Sequence, residues 1–319
     1  MSIGTKYLKR YYYYTDVTMD TSAASRSGDT LAFAALDSQV RLAILDSLYE
    51  RTVEPGPLAS NVAYSTIKSD VGVEDSGRFS YHLHRLVDRF VRKTDDGYRL
   101  SEPGREVVRL RRRGVLREDV SVEAQRIDTE CYRCGAGVEV SYERGYLTTR
   151  CPDCSGLIDH ELVPKGTLTA LAYPPSGIDG VGIETAFERA HVLVDQHVRA
   201  MAAGVCPDCG RDVTMTLESA DRPERAGDEP GGSDRFTHDG LVKLSCDHCG
   251  QRRITHPLHA TADRDPVAGY FADRGLAPGW DRFAAVMAWE TTIRPDCVVF
   301  ESPDGGRWTV DDDLAVIRE

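Results

Sequence analysis

From Ser76 onward, Phe79, Leu83, Leu86, Val87 and Phe90 recur at spacings of four, three, one and three, which predicts one helix with a single apolar stripe. Beside that stripe Arg78, His82, Arg85 and Arg89 follow one another at four, three and four, with Tyr81 adjacent, so one helix face is cationic. Asp75 or Ser76 can cap its start. Just upstream, Ser65 can cap a short helix carrying Ile67 and Val71, which Gly72 breaks. Downstream, Val91 to Thr94 and Tyr98 to Leu100 flank an Asp95-Asp96-Gly97 turn and read as a hairpin. A short helix, a tight turn, a longer helix and a two-stranded wing is the order that a DNA-reading unit needs, although most helix pairs with a glycine turn simply pack a core. An earlier helix, capped by Asp37, has Val40, Ile44 and Leu48 every four residues with Leu45 beside them. A Pro- and Gly-rich connection covers Glu54 to Asn61, and Ser101 can cap a later helix that runs through Val107, Val108 and Leu110 toward Leu116.

The rest of the chain is punctuated by four C-x-x-C pairs. Cys131, Cys134, Cys151 and Cys154 enclose two predicted strands, Val138 to Tyr142 and Tyr146 to Arg150, around Gly145. Pairs two residues apart let a tight turn aim both sulfurs at one ion, and four thiolates close a tetrahedral site, so this stretch reads as a zinc ribbon. Iron in the same ligand set and redox dithiols are the alternatives. Leu162 to Tyr173 reads as strand up to Pro174 and Pro175, and Ile183, Phe187, Ala190, Val194, Val198 and Met201 keep helical spacing. Cys206, Cys209, Cys246 and Cys249 then supply a second ribbon, interrupted by a charged, Gly-rich flexible loop at 220–240. Two structural zinc ions are expected, and an interleaved pairing of the four pairs remains open. His248, His256 and His259 read as surface groups or as residues behind the ligands. Pro266 to Gly275 is a short helix burying Val267, Tyr270 and Phe271, followed by an aromatic segment with Trp280, Phe283, Val286 and Trp289. A hairpin, Cys297 to Phe300 with Trp308 to Val310, and a strand from Leu314 end the chain, with Cys297 in the core.

Composition changes the picture in two ways. The protein has 319 residues, 51 acidic against 39 basic, and a net charge of −12. Residues 78 to 113 nevertheless hold eleven Arg or Lys against five Asp or Glu, a net of +6, as a polyanion-binding face on an acidic protein requires. Six Lys against 33 Arg, with 32 Asp, suits solubility in concentrated salt and points to a halophile's cytoplasm, although an ordinary acidic protein is the plainer reading. No run of 18 apolar residues and no signal-peptide core occurs, so no membrane partner is expected and the cysteines read as metal ligands of a reducing compartment.

The stretches Asp37 to Leu48 (DSQVRLAILDSL) and Val71 to Val108 (VGVEDSGRFSYHLHRLVDRFVRKTDDGYRLSEPGREVV) resemble the ArsR-like winged helix-turn-helix regulators of the haloarchaeal type. Metalloid-sensing members carry paired cysteines in the DNA-binding helices, whereas here no Cys precedes Cys131. The resemblance implies a transcriptional regulator of double-stranded DNA that acts as a homodimer. The expected fold class is α+β. Its parts are a tail at 1–28 (with Met19 an alternative start), a winged helix-turn-helix domain at 29–120, a zinc ribbon at 121–165 and an α+β domain with the second ribbon at 166–319. Arg78, Tyr81, His82 and Arg85 are expected at base edges, and Arg89, Arg92, Lys93 and Arg99 at phosphates. The rival class is a zinc-ribbon factor that binds polymerase or general factors rather than DNA sites. No nucleophile elbow, phosphate loop or open metal site occurs in the sequence, so an enzyme is not expected.

Overall fold

The computed structural model describes residues 32–52, 60–117, 119–158, 160, 163–218, 240–294 and 296–319. The expected tail, most of the 54–61 connection and nearly all of the 220–240 loop lie outside these residues. The fold is mixed α and β with several small sheets, and the chain divides into two compact units at Arg112/Arg113. No helix among the described residues is long and apolar enough to cross a membrane.

The first unit holds α1 (Gln39–Arg51), α2 (Tyr64–Val71), α3 (Ser76–His84), the hairpin β1 (Val91–Thr94) with β2 (Gly97–Leu100), and α4 (Glu102–Arg112). Ile44, Leu45 and Leu48 of α1, Ile67 of α2, Phe79 and Leu83 of α3, and Val108 of α4 converge on one buried cluster with Leu86, Phe90 and Leu100. The caps differ in part from expectation. Asp75 does cap α3, accepting the Arg78 N–H at 2.5 Å, and Ser101 accepts the Gly104 N–H at 3.2 Å before α4. At the other two starts, Ser38 and Ala63 occupy the cap positions, and neither Asp37 nor Ser65 performs that role.

A larger correction concerns α3, which stops at His84 instead of running to Phe90. Asp88 takes a left-handed conformation (φ 70°) and gives its N–H to the Val91 carbonyl at 2.9 Å, turning the chain into the hairpin. Leu86 and Phe90 therefore reach the core from a turn, and Arg89 leaves the helical face.

The second unit contains two ribbons of like topology. In the first, β3 (Val122–Glu130), β4 (Gly137–Glu143), β5 (Tyr146–Arg150) and β6 (Thr167–Ala172) form an antiparallel sheet in sequence order. In the second, β7 (Thr214–Glu218), β8 (Leu241–Ser245) and β9 (Arg252–Thr255) do the same. Between them runs α5 (Ile183–Ala202), followed later by α6 (Pro257–Ala260), α7 (Val267–Asp273) and α8 (Trp280–Met287). A last sheet orders β10 (Glu290–Ile293), β11 (Cys297–Glu301), β12 (Arg307–Asp311) and β13 (Val316–Arg318).

The expected division at 165/166 is not a break in this unit. Strand β6 pairs along β5, and Leu168, Phe187, Trp280 and Phe283 share a core with Val138, Val140 and Leu147 of the first ribbon. A 45-residue ribbon buries too little by itself, so its apolar face is covered by α5 and α8. The second ribbon's Val242 and Leu244 pack with Met201, Phe271, Trp289, Phe300 and Trp308. His256 and His259, read as surface groups or as residues behind the ligands, are buried in α6 and its cap.

Within the first unit, Arg51 donates from Nε and Nη2 to Asp70 (2.5 and 2.7 Å), and Ser47 donates to the same carboxylate at 2.7 Å. The Arg51 bond, then the Ser47 bond, hold the Asp70 carboxyl at about 2. Since the folded value lies below the unfolded one, this contribution is complete above about pH 4 and is lost as pH falls through 2. Asp70→Asn should therefore flatten the acid-side dependence of stability between pH 4 and 2, measured by circular dichroism melts. An unchanged slope would contradict the linkage.

Candidate metal centres and cationic surface

Each four-cysteine group is assembled from its own two sequence pairs. Cys131, Cys134, Cys151 and Cys154 lie with all sulfurs within 4.8 Å of one another, and so do Cys206, Cys209, Cys246 and Cys249. The interleaved pairing is thereby excluded. Four sulfurs at about 2.3 Å from a tetrahedral zinc stand about 3.8 Å apart. The observed Sγ–Sγ separations are 3.8 Å for Cys131–Cys154 and 3.5 Å for Cys134–Cys151, Cys206–Cys249 and Cys209–Cys246. The donor set thus fits two metal ions and is consistent with zinc. Four thiolates leave no position for substrate, which makes a structural role the natural one.

Three of the four turns are built alike. In Cys131–Ala136, Cys206–Arg211 and Cys246–Gln251 the first cysteine's N–H donates to the carbonyl five residues on (2.7, 2.8 and 2.9 Å). The N–H of Gly135, Gly210 or Gly250 returns to that cysteine's carbonyl (2.8, 2.8 and 2.9 Å). Each of these glycines sits at φ between 71° and 76°, where L side chains are strained. This is why Gly follows the pair.

The fourth turn has Ser155 there and is closed from a distance. The Cys151 N–H donates to the Gly166 carbonyl at 2.8 Å, and a Cβ at Gly166 would stand 1.9 Å from the Cys151 carbonyl oxygen. Gly166 is a site residue that the sequence reading missed, because its partner lies fifteen positions away and no motif joins them. Local fields also separate the thiols. Burial pushes Cys151 and Cys249 up to about 12, whereas backbone hydrogen bonds, Cys249 first, draw Cys246 down to about 7. Metal capture by these thiols releases protons.

In the first unit the cationic residues fall on two elements and the turn between them. Arg78 and Tyr81 project from α3, with Tyr81 59% exposed, and Arg85 caps the helix C-terminus. His82 turns partly inward. Its Nδ1 lies 3.5 Å from Ser38 Oγ, its ring meets Tyr81 at 5.3 Å, and burial, then Arg41 and Arg78, push its pKa down. Its neutral form is thereby favoured. Arg89 is exposed in the turn, Arg92 and Lys93 are exposed on β1, and Arg99 is half-buried on β2. The hairpin register places Arg92 directly across from Arg99.

The wider excess of positive charge is largely neutralised on α4. Arg109 pairs with Glu102 and Glu106, Arg111 with Asp46 and Arg112 with Glu50, while Arg105 is buried. Among the described residues, Arg78, Arg85, Arg92 and Lys93 make no ion pair. Lys68 of α2 joins their side of the unit, donating to Ser76 Oγ at 2.7 Å, and had not been singled out in the sequence.

Purified protein should carry two zinc ions per chain by elemental analysis. Gly166→Ala should lower this to about one, since the Cys151 turn cannot close around the added methyl, while circular dichroism of the first unit's helices stays unchanged. Full zinc content in that variant would refute the assigned role of Gly166.

Comparison with known proteins finds a separate family model over each of these two regions. A family model described as a domain of unknown function (DUF7347) matches residues 29–110, and another so described (DUF7351) matches residues 128–316. No curated protein and no solved structure matches the chain. Since the second match spans more than half of the 319 residues and includes both four-cysteine groups, the chain belongs to the DUF7351 family.

Proposed function

We propose that the protein is a sequence-specific DNA-binding transcriptional regulator whose first unit is a winged helix-turn-helix of the ArsR-like kind and whose second unit is braced by two structural zinc ions. The observation that carries this reading is the set of exposed cations Arg78, Arg85, Arg92 and Lys93, on α3, its C-terminus and β1, which make no ion pair among the described residues although a chain with net charge −12 has carboxylates to offer. Arg109, Arg111 and Arg112 are neutralised by such carboxylates on α4. Phosphate oxygens received at Arg92 and Lys93 answer the charge at the hairpin.

The helix supplies the second half. Residues near the start of a recognition helix reach base edges, and Arg78 stands at the third position of α3 with Tyr81 three residues on, nearly one turn along. Arg85 and Arg89, past the helix end, suit phosphates better than bases. His82, half-buried, supports Tyr81. A homodimer accompanies this reading, and Leu110, an exposed apolar side chain on α4, is its proposed contact.

Fluorescence anisotropy against a duplex recovered by selection and against random duplex tests these roles. Arg78→Ala should cost about 1 to 3 kcal/mol on the selected site alone. Arg92→Ala should weaken both duplexes alike and reduce the log-log salt slope by about 1. Equal loss on both duplexes for Arg78→Ala, or no DNA binding by the wild type in low salt, would overturn the assignment.

A further inference from the structure

We infer that the two four-cysteine sites are energetically linked through one buried contact path, Tyr132 to Phe283 to His259 to Thr255, so that emptying either site weakens the other. The inference rests on reading both clusters as metal sites and adds to it a direction of regulation, in which the second unit responds to metal as a whole.

The path begins inside the first site. Tyr132 lies between the ligands Cys131 and Cys134, and its ring packs against Trp280 (5.9 Å) and edge-on against Phe283 (5.9 Å, 90°). Its hydroxyl is buried and has no hydrogen-bond partner among the described residues. Burying a hydroxyl unpaired opposes folding, so the side chain is held there by closure of the Cys131–Cys134 turn and by ring packing, against the preference of its own oxygen. When the turn opens, Tyr132 gains by withdrawing to water. That gives the first site two distinct arrangements, which coupling requires.

Phe283 transmits the difference. Besides meeting Tyr132, it contacts the His259 ring at 5.7 Å and 73°. His259 is tied at both nitrogens, with Nε2 3.0 Å from Asp195 Oδ1 and Nδ1 2.9 Å from Thr255 Oγ1. With Asp195 the acceptor, Nε2 carries a proton. Both arms then lie on elements that run directly into the ligand turns of the second site. Thr255 closes β9, which starts three residues after Cys249, and Asp195 belongs to α5, whose last residue, Ala202, precedes Cys206 by four. Withdrawing Tyr132 removes the wall against which Phe283 holds His259, and the second site loses its alignment. Linkage makes the effect reciprocal.

The test uses the full-length, zinc-loaded protein and a chromophoric chelator that reports each ion released. Wild type should lose both ions in one cooperative transition, and Phe283→Leu should split it into two. Independently, Cys134→Ser with Cys154→Ser, which disables the first site, should weaken zinc binding at the second by about tenfold. Two separate transitions in the wild type, or a single one unaltered by Phe283→Leu, would overturn the linkage while leaving two metal sites standing. Protein that binds no zinc at all would overturn the metal reading and the linkage together.

Discussion

Asp195 is the constraint around which the second unit is arranged. Its side chain is fully buried in the middle of α5, where an unpaired carboxylate costs several kcal/mol. Burial pushes its carboxyl up, but His259, Arg199 and Arg282 together hold it below its ordinary value, so the charge stays and must be answered. Arg199 stands 3.1 Å away one turn along the same helix, and His259 reaches in from α6 at 3.0 Å. Meeting that requirement fixes α6, and with it β9 and the Cys246–Cys249 turn, against α5. The opposite end of the same helix presents Phe187 to Trp280 and so carries the aromatic cluster on which Tyr132 rests. One helix thus sets the position of both ribbons.

The ribbons in turn need that helix. Sheets of three or four short strands bury little by themselves, and small folds of this kind are usually closed by a metal or a disulfide. Here the sulfurs close the ends of the strands while α5 and α8 cover their faces. The four-cysteine turns and the hydrophobic core are complementary parts of one scaffold, and the Gly166 carbonyl that closes the Cys151 turn lies immediately before β6, the strand that joins ribbon to helix. The first unit uses charge differently. Its arginines on α4 are spent on internal carboxylates, while Arg78, Arg85, Arg92 and Lys93 on α3, its C-terminus and β1 are left exposed. An acidic protein can present a polyanion with a well-defined face in this way.

What could be read from residues alone is what is encoded over a few positions. The four cysteine pairs, the stripes of α1 and α5 and the hairpin turn at Gly97 each rest on spacings of two to four residues, and each is found where it was expected. The length of α3 was misjudged because Leu86 and Phe90 continue its apolar rhythm from a turn, and periodicity cannot register the left-handed Asp88. Strands β3 and β10 escaped notice because they alternate weakly, β3 being exposed along most of its length. Sequence by itself determined most of the elements and the four cysteine pairs that could hold metal, since backbone propensity and thiolate chemistry are local. Only the tertiary structure decided which cysteine pairs share a site, that Gly166 closes one of them, that Arg92 faces Arg99, and that His259 is buried against Asp195. Each of these depends on chain segments brought together by packing, and no spacing along the chain records such an approach.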